Sequence, residues 1–165
     1  MKYSNINLGV DVEIDSSSSI NNIVIGNRVR IAKRVSAFGS PSSLLTIGDD
    51  SYVGMNCILN GYAAKISIGK HVSLAQNVNI MTDSGPNASS ILQRIYPIEK
   101  GDVEIGDHCW IGASAIIMPG VSIGNFCIVA AGSFVRGSFP AYTIIGGSPA
   151  KIIRKLSIDE IEKLK

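Results

Sequence analysis

The chain has 165 residues, enough for one domain with a real core, and its formal net charge of +2 comes without a run of basic residues, which argues against a nucleic-acid surface. No apolar stretch is long enough to span a bilayer, and Met1 to Asn5 lead into no signal-peptide core. A soluble, cytoplasmic protein with no membrane insertion is the expectation.

Residues 1 to 24 hold a degenerate first coil in Val12-Glu13-Ile14-Asp15 and Ile20, with Ser16 to Ser19 as a turn or cap. A capping segment is expected here, because the end of a stacked repeat would otherwise expose its apolar layer. Clear six-residue units start at Ile25-Gly26-Asn27-Arg28-Val29-Arg30 and Ile31-Ala32-Lys33-Arg34-Val35-Ser36, and the phase resumes at Ile47-Gly48, Val53-Gly54, Ile68-Gly69 and Leu74-Ala75. Off-phase corners fall at 39–43 and 61–65, and one long interruption runs over 82–102. A loop of that length in a repeat protein usually has a job.

From Val103 to Val135 the period is strict: hexads open at Ile105, Ile111, Ile117, Ile123 and Val129, each with a small residue second except for Met118. Helices repeat apolar positions at three and four residues and strands at two, so a period of six fits neither. It is the signature of a parallel β-helix, in which each hexad is one short strand plus a turn and three hexads close one triangular coil. The first residue should fill the prism, and the small one beside it lets the chain bend. Cys57, Cys109 and Cys127 all stand fifth in their hexads, facing inward, and Cys109 and Cys127 are one coil apart. Buried reduced thiols explain them better than a disulfide or a metal. His71 and His108 stand fourth, at corners that call for a left-handed backbone, so turn residues are the favoured reading, with reach into a neighbouring subunit's groove as the alternative.

After Val135 the repeat is expected to stop at Gly137-Ser138-Phe139-Pro140, with Gly146-Gly147-Ser148-Pro149 as a second turn. Ser157-Ile158-Asp159-Glu160 then reads as a capping box opening a short helix over 157–165, expected to lie across the last coil as a lid. The prism itself takes residues 1–156.

Trp110-Ile111-Gly112, Met118-Pro119-Gly120-Val121, Ala130-Ala131-Gly132-Ser133 and Gly147-Ser148-Pro149-Ala150-Lys151 together resemble the hexapeptide-repeat acyltransferases, nearest to the galactoside, maltose, xenobiotic and capsular-sugar O-acetyltransferase branch. The resemblance covers roughly residues 47 to 156. It implies an all-β, left-handed parallel β-helix, against the right-handed crossover rule, assembled as a homotrimer with active sites between neighbouring prisms. Acetyl-coenzyme A would be the co-substrate, and no metal would be needed.

By resemblance, Trp110 borders the pantetheine and acetyl region, Gly112, Ala113 and Ala131 form the wall beside the arm, and Arg136, Lys151 and Arg154 lie towards the nucleotide. A long cofactor needs such a slot, with small residues for close approach and cations at the phosphate end. Simple coil geometry also explains the small residues, and solvated surface charge also explains Lys151 and Arg154. A sugar hydroxyl needs a base to take its proton. The galactoside and maltose enzymes use a loop histidine, and residues 82–102 contain none. Asp83 is the substitute base and Ser84 an acceptor-orienting group, with acyl carriage as the second reading for Ser84 and a turn-capping role as the alternative for Asp83. Asn56 and Asn60 stand where polar residues of the family hold acceptor hydroxyls.

The expected function is therefore an acetyl-coenzyme A-dependent O-acetyltransferase acting on a saccharide by direct transfer. An amino-sugar N-acetyltransferase, which asks less of its base, and a weakly catalytic coenzyme-binding prism with an assembly role are the alternatives.

Overall fold

The computed structural model describes residues 5–164, so Met1 to Ser4 and Lys165 lie outside the described residues. Strands of mostly two or three residues stack in parallel on three faces, giving about six turns of a β-helix. Face A runs from Ile6–Leu8 through Ile23–Ile25, Leu45–Ile47, Ile66–Ile68, Val103–Ile105 and Ser122–Ile123 to Ser138–Phe139. Face B runs from Glu13–Ile14 through Arg30–Ile31, Tyr52–Val53, Ser73–Leu74, Trp110–Ile111 and Ile128–Val129 to Thr143–Gly147. Face C carries Ser19–Asn21, Ser36–Phe38, Ile58–Asn60, Asn79–Met81, Ile116–Ile117 and Phe134–Val135.

The hexad explains the core directly. First-place residues such as Ile47, Val53, Leu74, Ile111, Ile117 and Ile123 are buried, and so are the fifth-place residues at the corners, Val29, Cys57, Val72, Cys109, Ala115 and Cys127. Burial pushes the Cys57 thiol up to about 11. All three cysteines are free and buried, which matches the reading as small interior side chains.

The corner between faces A and B shows why glycine precedes a polar residue. Asn125 Oδ1 accepts the Asp107 backbone N–H at 2.9 Å, and Asp107 Oδ1 accepts that of Lys70 at 2.7 Å, so each coil satisfies the donor of the coil before. A side chain at Gly106 would collide with that Asn125 oxygen. Fourth-place residues are left-handed as expected, with φ of 55° at His71 and 56° at His108. Stacked one coil apart, His71, His108, Phe126 and Tyr142 form a parallel column of rings with centroids 4.6, 4.7 and 5.2 Å apart. Those distances match the strand spacing of about 4.8 Å, so the backbone dictates the stack. Asp50 lies 3.9 Å from His71 and is itself held by Arg28 at 2.7 Å. The two histidines are thus corner residues of an aromatic column.

Two expectations need correction. The coils continue past Val135: Ser122 pairs with Ser138, Ile123 with Phe139, and Val129 with Ile145. The phase was hidden because Val135 to Phe139 spans four residues instead of six, the chain turning tightly at Gly137 with φ +85°. Face B then gains an antiparallel strand, Ala150–Lys155, against Thr143–Gly147. The C-terminal helix, Ile158–Glu162, has the anticipated capping box at Ser157 but buries no residue, and Ile158 is 76% exposed. It is no apolar lid. Arg154 holds it instead, donating to both Glu160 carboxylate oxygens at 2.7 and 2.8 Å. Arg154, with help from the Ser157 backbone N–H, pulls the Glu160 carboxyl down to about 2.

All departures from six fall on one edge, where face C meets face A. The chain loses residues there at 21–22 and 136–137 and gains them at 39–44, 61–65 and 82–102. The other two corners keep their length throughout the coils, so the faces stay in register while one edge varies.

Candidate functional site

The corner between faces B and C carries the small wall. Gly112, Ala113, Ala131, Gly132, Gly146 and Gly147 follow one another down the last coils, with the Gly132 N–H donating to Ala113 O at 2.8 Å. Gly112 is forced by packing, since a Cβ there would meet Ala131 N at 2.5 Å and Val129 O at 2.7 Å. Ala131 and Gly132 are exposed, and nothing lies within 4 Å of where a Gly132 Cβ would stand. The wall is therefore packed behind and open in front, a strip along which an extended ligand can approach the backbone. Trp110 stands beside it on face B, 57% exposed, and Lys151 ends it, paired with Gly146 on the terminal strand. Arg154 pairs with Ile144 on the same strand, but its guanidinium is engaged by Glu160.

The other predicted residues gather at the variable edge. Thr82 is fully buried at the root of the long loop, where its hydroxyl donates to Asn60 O at 3.0 Å and accepts from Ala64 N at 3.2 Å. Asp83 and Ser84, both half-buried, follow as a short strand antiparallel to Glu99–Lys100. Asn60 lies one coil earlier at the same edge, beside Met81, with its side-chain oxygen accepting Tyr62 N at 3.2 Å. Arg136, two coils later, is here too, and its guanidinium donates to the Glu99 carboxylate. Ser84, Pro86, Tyr96, Glu99, Met118 and Arg136 line a hollow of about 270 Å³ at this edge.

The structure thus splits the predicted set. Asn60, Asp83, Ser84 and Arg136 share one edge, while Gly112, Ala113, Ala131 and Lys151 share another, with face C between them. Gly132 and Arg136 lie on either side of the face-C strand Phe134–Val135, at most roughly 13 Å apart at about 3.3 Å per residue. Asn56 joins neither group: it is a left-handed corner residue with φ +60°, accepting from Arg34 Nε at 2.8 Å and donating to Asn77 Oδ1 at 3.2 Å. Glu99, Tyr96 and Met118 belong to the hollow and were not singled out. Met118 alone left a trace in the sequence, as the one large residue in a place otherwise held by small ones. Among the described residues, no group of three or more His, Cys, Asp or Glu is placed to hold a metal ion, and no helix is long and apolar enough to cross a membrane.

Residues 102–137 match the family model described as bacterial transferase hexapeptide (six repeats). The chain is 35% identical over 112 residues to WcaF of Escherichia coli, which bears the name of a colanic acid biosynthesis acetyltransferase, covering 67% of this chain and 58% of that protein. It is 37% identical over 112 residues to WbbJ of Escherichia coli, named for lipopolysaccharide biosynthesis O-acetyl transfer, covering 67% and 50%. The chain spans about half the length of the curated relatives it matches. Among solved structures, a variant of AntD, an N-acyltransferase from Bacillus cereus in complex with dTDP-4-amino-4,6-dideoxyglucose and coenzyme A, superposes with a TM-score of 0.81 and 27% identity. That match covers 96% of this chain and 87% of the other.

Proposed function

Because the chain belongs to the hexapeptide-repeat transferases, we propose that it is an acetyl-coenzyme A-dependent O-acetyltransferase acting on a sugar or saccharide hydroxyl. The observation that carries this reading is the open wall of Ala113, Ala131 and Gly132, on a prism whose fold matches that of AntD bound to coenzyme A. The wall admits the pantetheine arm, Trp110 flanks it, and Lys151 offers a cation for the phosphates.

The acceptor sits at the variable edge near Asn60, Asp83 and Ser84. As the acceptor oxygen bonds to the thioester carbonyl carbon, its proton passes to the Asp83 carboxylate and Ser84 orients the hydroxyl. The carbon–sulfur bond then breaks, and the sulfur takes up the proton and leaves as free coenzyme A.

Within one chain face C separates the wall from Asp83, so the reading includes a homotrimer in which one prism's edge meets the next prism's wall. The exposed Ile58 and Ile116 on face C and Tyr52 and Trp110 on face B supply apolar contact area for it. Sedimentation should give three times 17.5 kDa, and a monomer at micromolar concentration would refute the shared site.

A specific observation favours one other reading: AntD acylates nitrogen and matches nearly the whole fold. The deciding assay follows thiol release from acetyl-coenzyme A with hydroxyl sugars and with amino sugars. Release with hydroxyl sugars is expected, release with amino sugars only would replace O- by N-transfer, and release with neither would overturn the enzymatic reading.

A further inference from the structure

We propose that the Arg136–Glu99 ion pair is a latch that fastens the long loop to the prism and thereby positions Ser84 for the acceptor; the role of Ser84 rests on the acyltransferase reading above. Glu99 stands opposite Ser84 in the short antiparallel ladder, and Asp83 opposite Lys100. Whatever fixes Glu99 therefore fixes Ser84. A two-stranded ladder this short is marginal in water and needs an outside anchor.

The root of the loop has its own clamps, in Thr82 on Asn60 and in the Lys65 N–H donating to Asp102 Oδ1 at 2.9 Å. Beyond the root, the loop's other hydrogen bonds are internal, as where Gln93 Nε2 donates to Pro86 O at 3.1 Å. Among the described residues, Arg136 to Glu99 is the one side-chain hydrogen bond joining residues 83–100 to the coils. Arg136 comes from the corner that has lost residues at 136–137, and Met118 closes the same hollow from the coil between. Both charged side chains are about half exposed, at 48% and 52%, so the latch is weak and screened by salt. A fastening of this strength lets the loop open for an acceptor and close on it.

Arg136 is thus a positioning residue for the acceptor and not a contact for the coenzyme phosphates. Glu99→Gln should raise tryptic cleavage after Arg94 and the acceptor KM by roughly two- to fivefold each, the range an exposed ion pair can supply. The coenzyme KM and kcat at saturating acceptor should stay unchanged. The reversed pair, Glu99→Arg with Arg136→Glu, should restore both readouts. Unchanged cleavage in Glu99→Gln, or a rise in coenzyme KM alone, overturns the latch. Should the parent chain show no turnover, the acyltransferase reading fails, and cleavage of the two variants decides the latch on its own.

Discussion

Asp83→Asn is expected to lower kcat by about 10² to 10⁴, the usual worth of a positioned general base, while the KM for acetyl-coenzyme A stays within about twofold. The side chain keeps its size and loses only its ability to take a proton. Asp83 is half-buried at the mouth of the loop, in backbone register with Lys100, and no histidine shares that loop. Asparagine fills the same space and Asp83 acts on the acceptor's proton, not on the wall that would hold the coenzyme, which is why coenzyme affinity should be untouched. Steady-state kinetics with both substrates varied checks this. A loss of kcat smaller than about tenfold would make Asp83 a turn residue and send the search for the base to a neighbouring copy.

Ile111→Ala should cost about 2–5 kcal/mol, visible as a lower denaturant midpoint. Ile111 is fully buried in the fifth coil, stacked between Leu74 and Val129, so the deletion leaves a void that coils above and below hold open. The same change at Ile14, half-buried in the first coil, should cost markedly less. Equal losses at the two positions would contradict a core whose packing tightens toward the middle coils.

The prism was legible because each hexad repeats its own instruction: a β-branched residue in, a small residue to bend, a second inward residue at the corner. Five regular units in a row leave no other period to fit. The end of the prism was not legible, because Val135 to Phe139 shortens one corner and puts every later inward residue out of phase. The helix start was legible in Ser157 and Glu160, whose cap is local, but its packing was not, since a cap says nothing of what the other face meets. The site divides the same way. Asp83 and Ser84 could be picked out as loop residues, whereas Glu99 and Arg136, 37 positions apart, meet only because the edge brings the loop's return strand over the sixth coil.

The single variable edge also bears on folding. Coil-to-coil contacts elsewhere join residues about 16 to 22 positions apart, as in Ile6 with Ile23 or Ile25 with Ile47, but Ile66 meets Val103 only across 37. Loop-closure entropy grows with the logarithm of length, and each doubling costs about 0.6 kcal/mol. The excursion that carries Asp83 and Ser84 therefore draws little on equilibrium stability. Its burden is kinetic, for pairing the fourth coil with the fifth is the longest search in the chain, and the two halves of the prism meet at that seam.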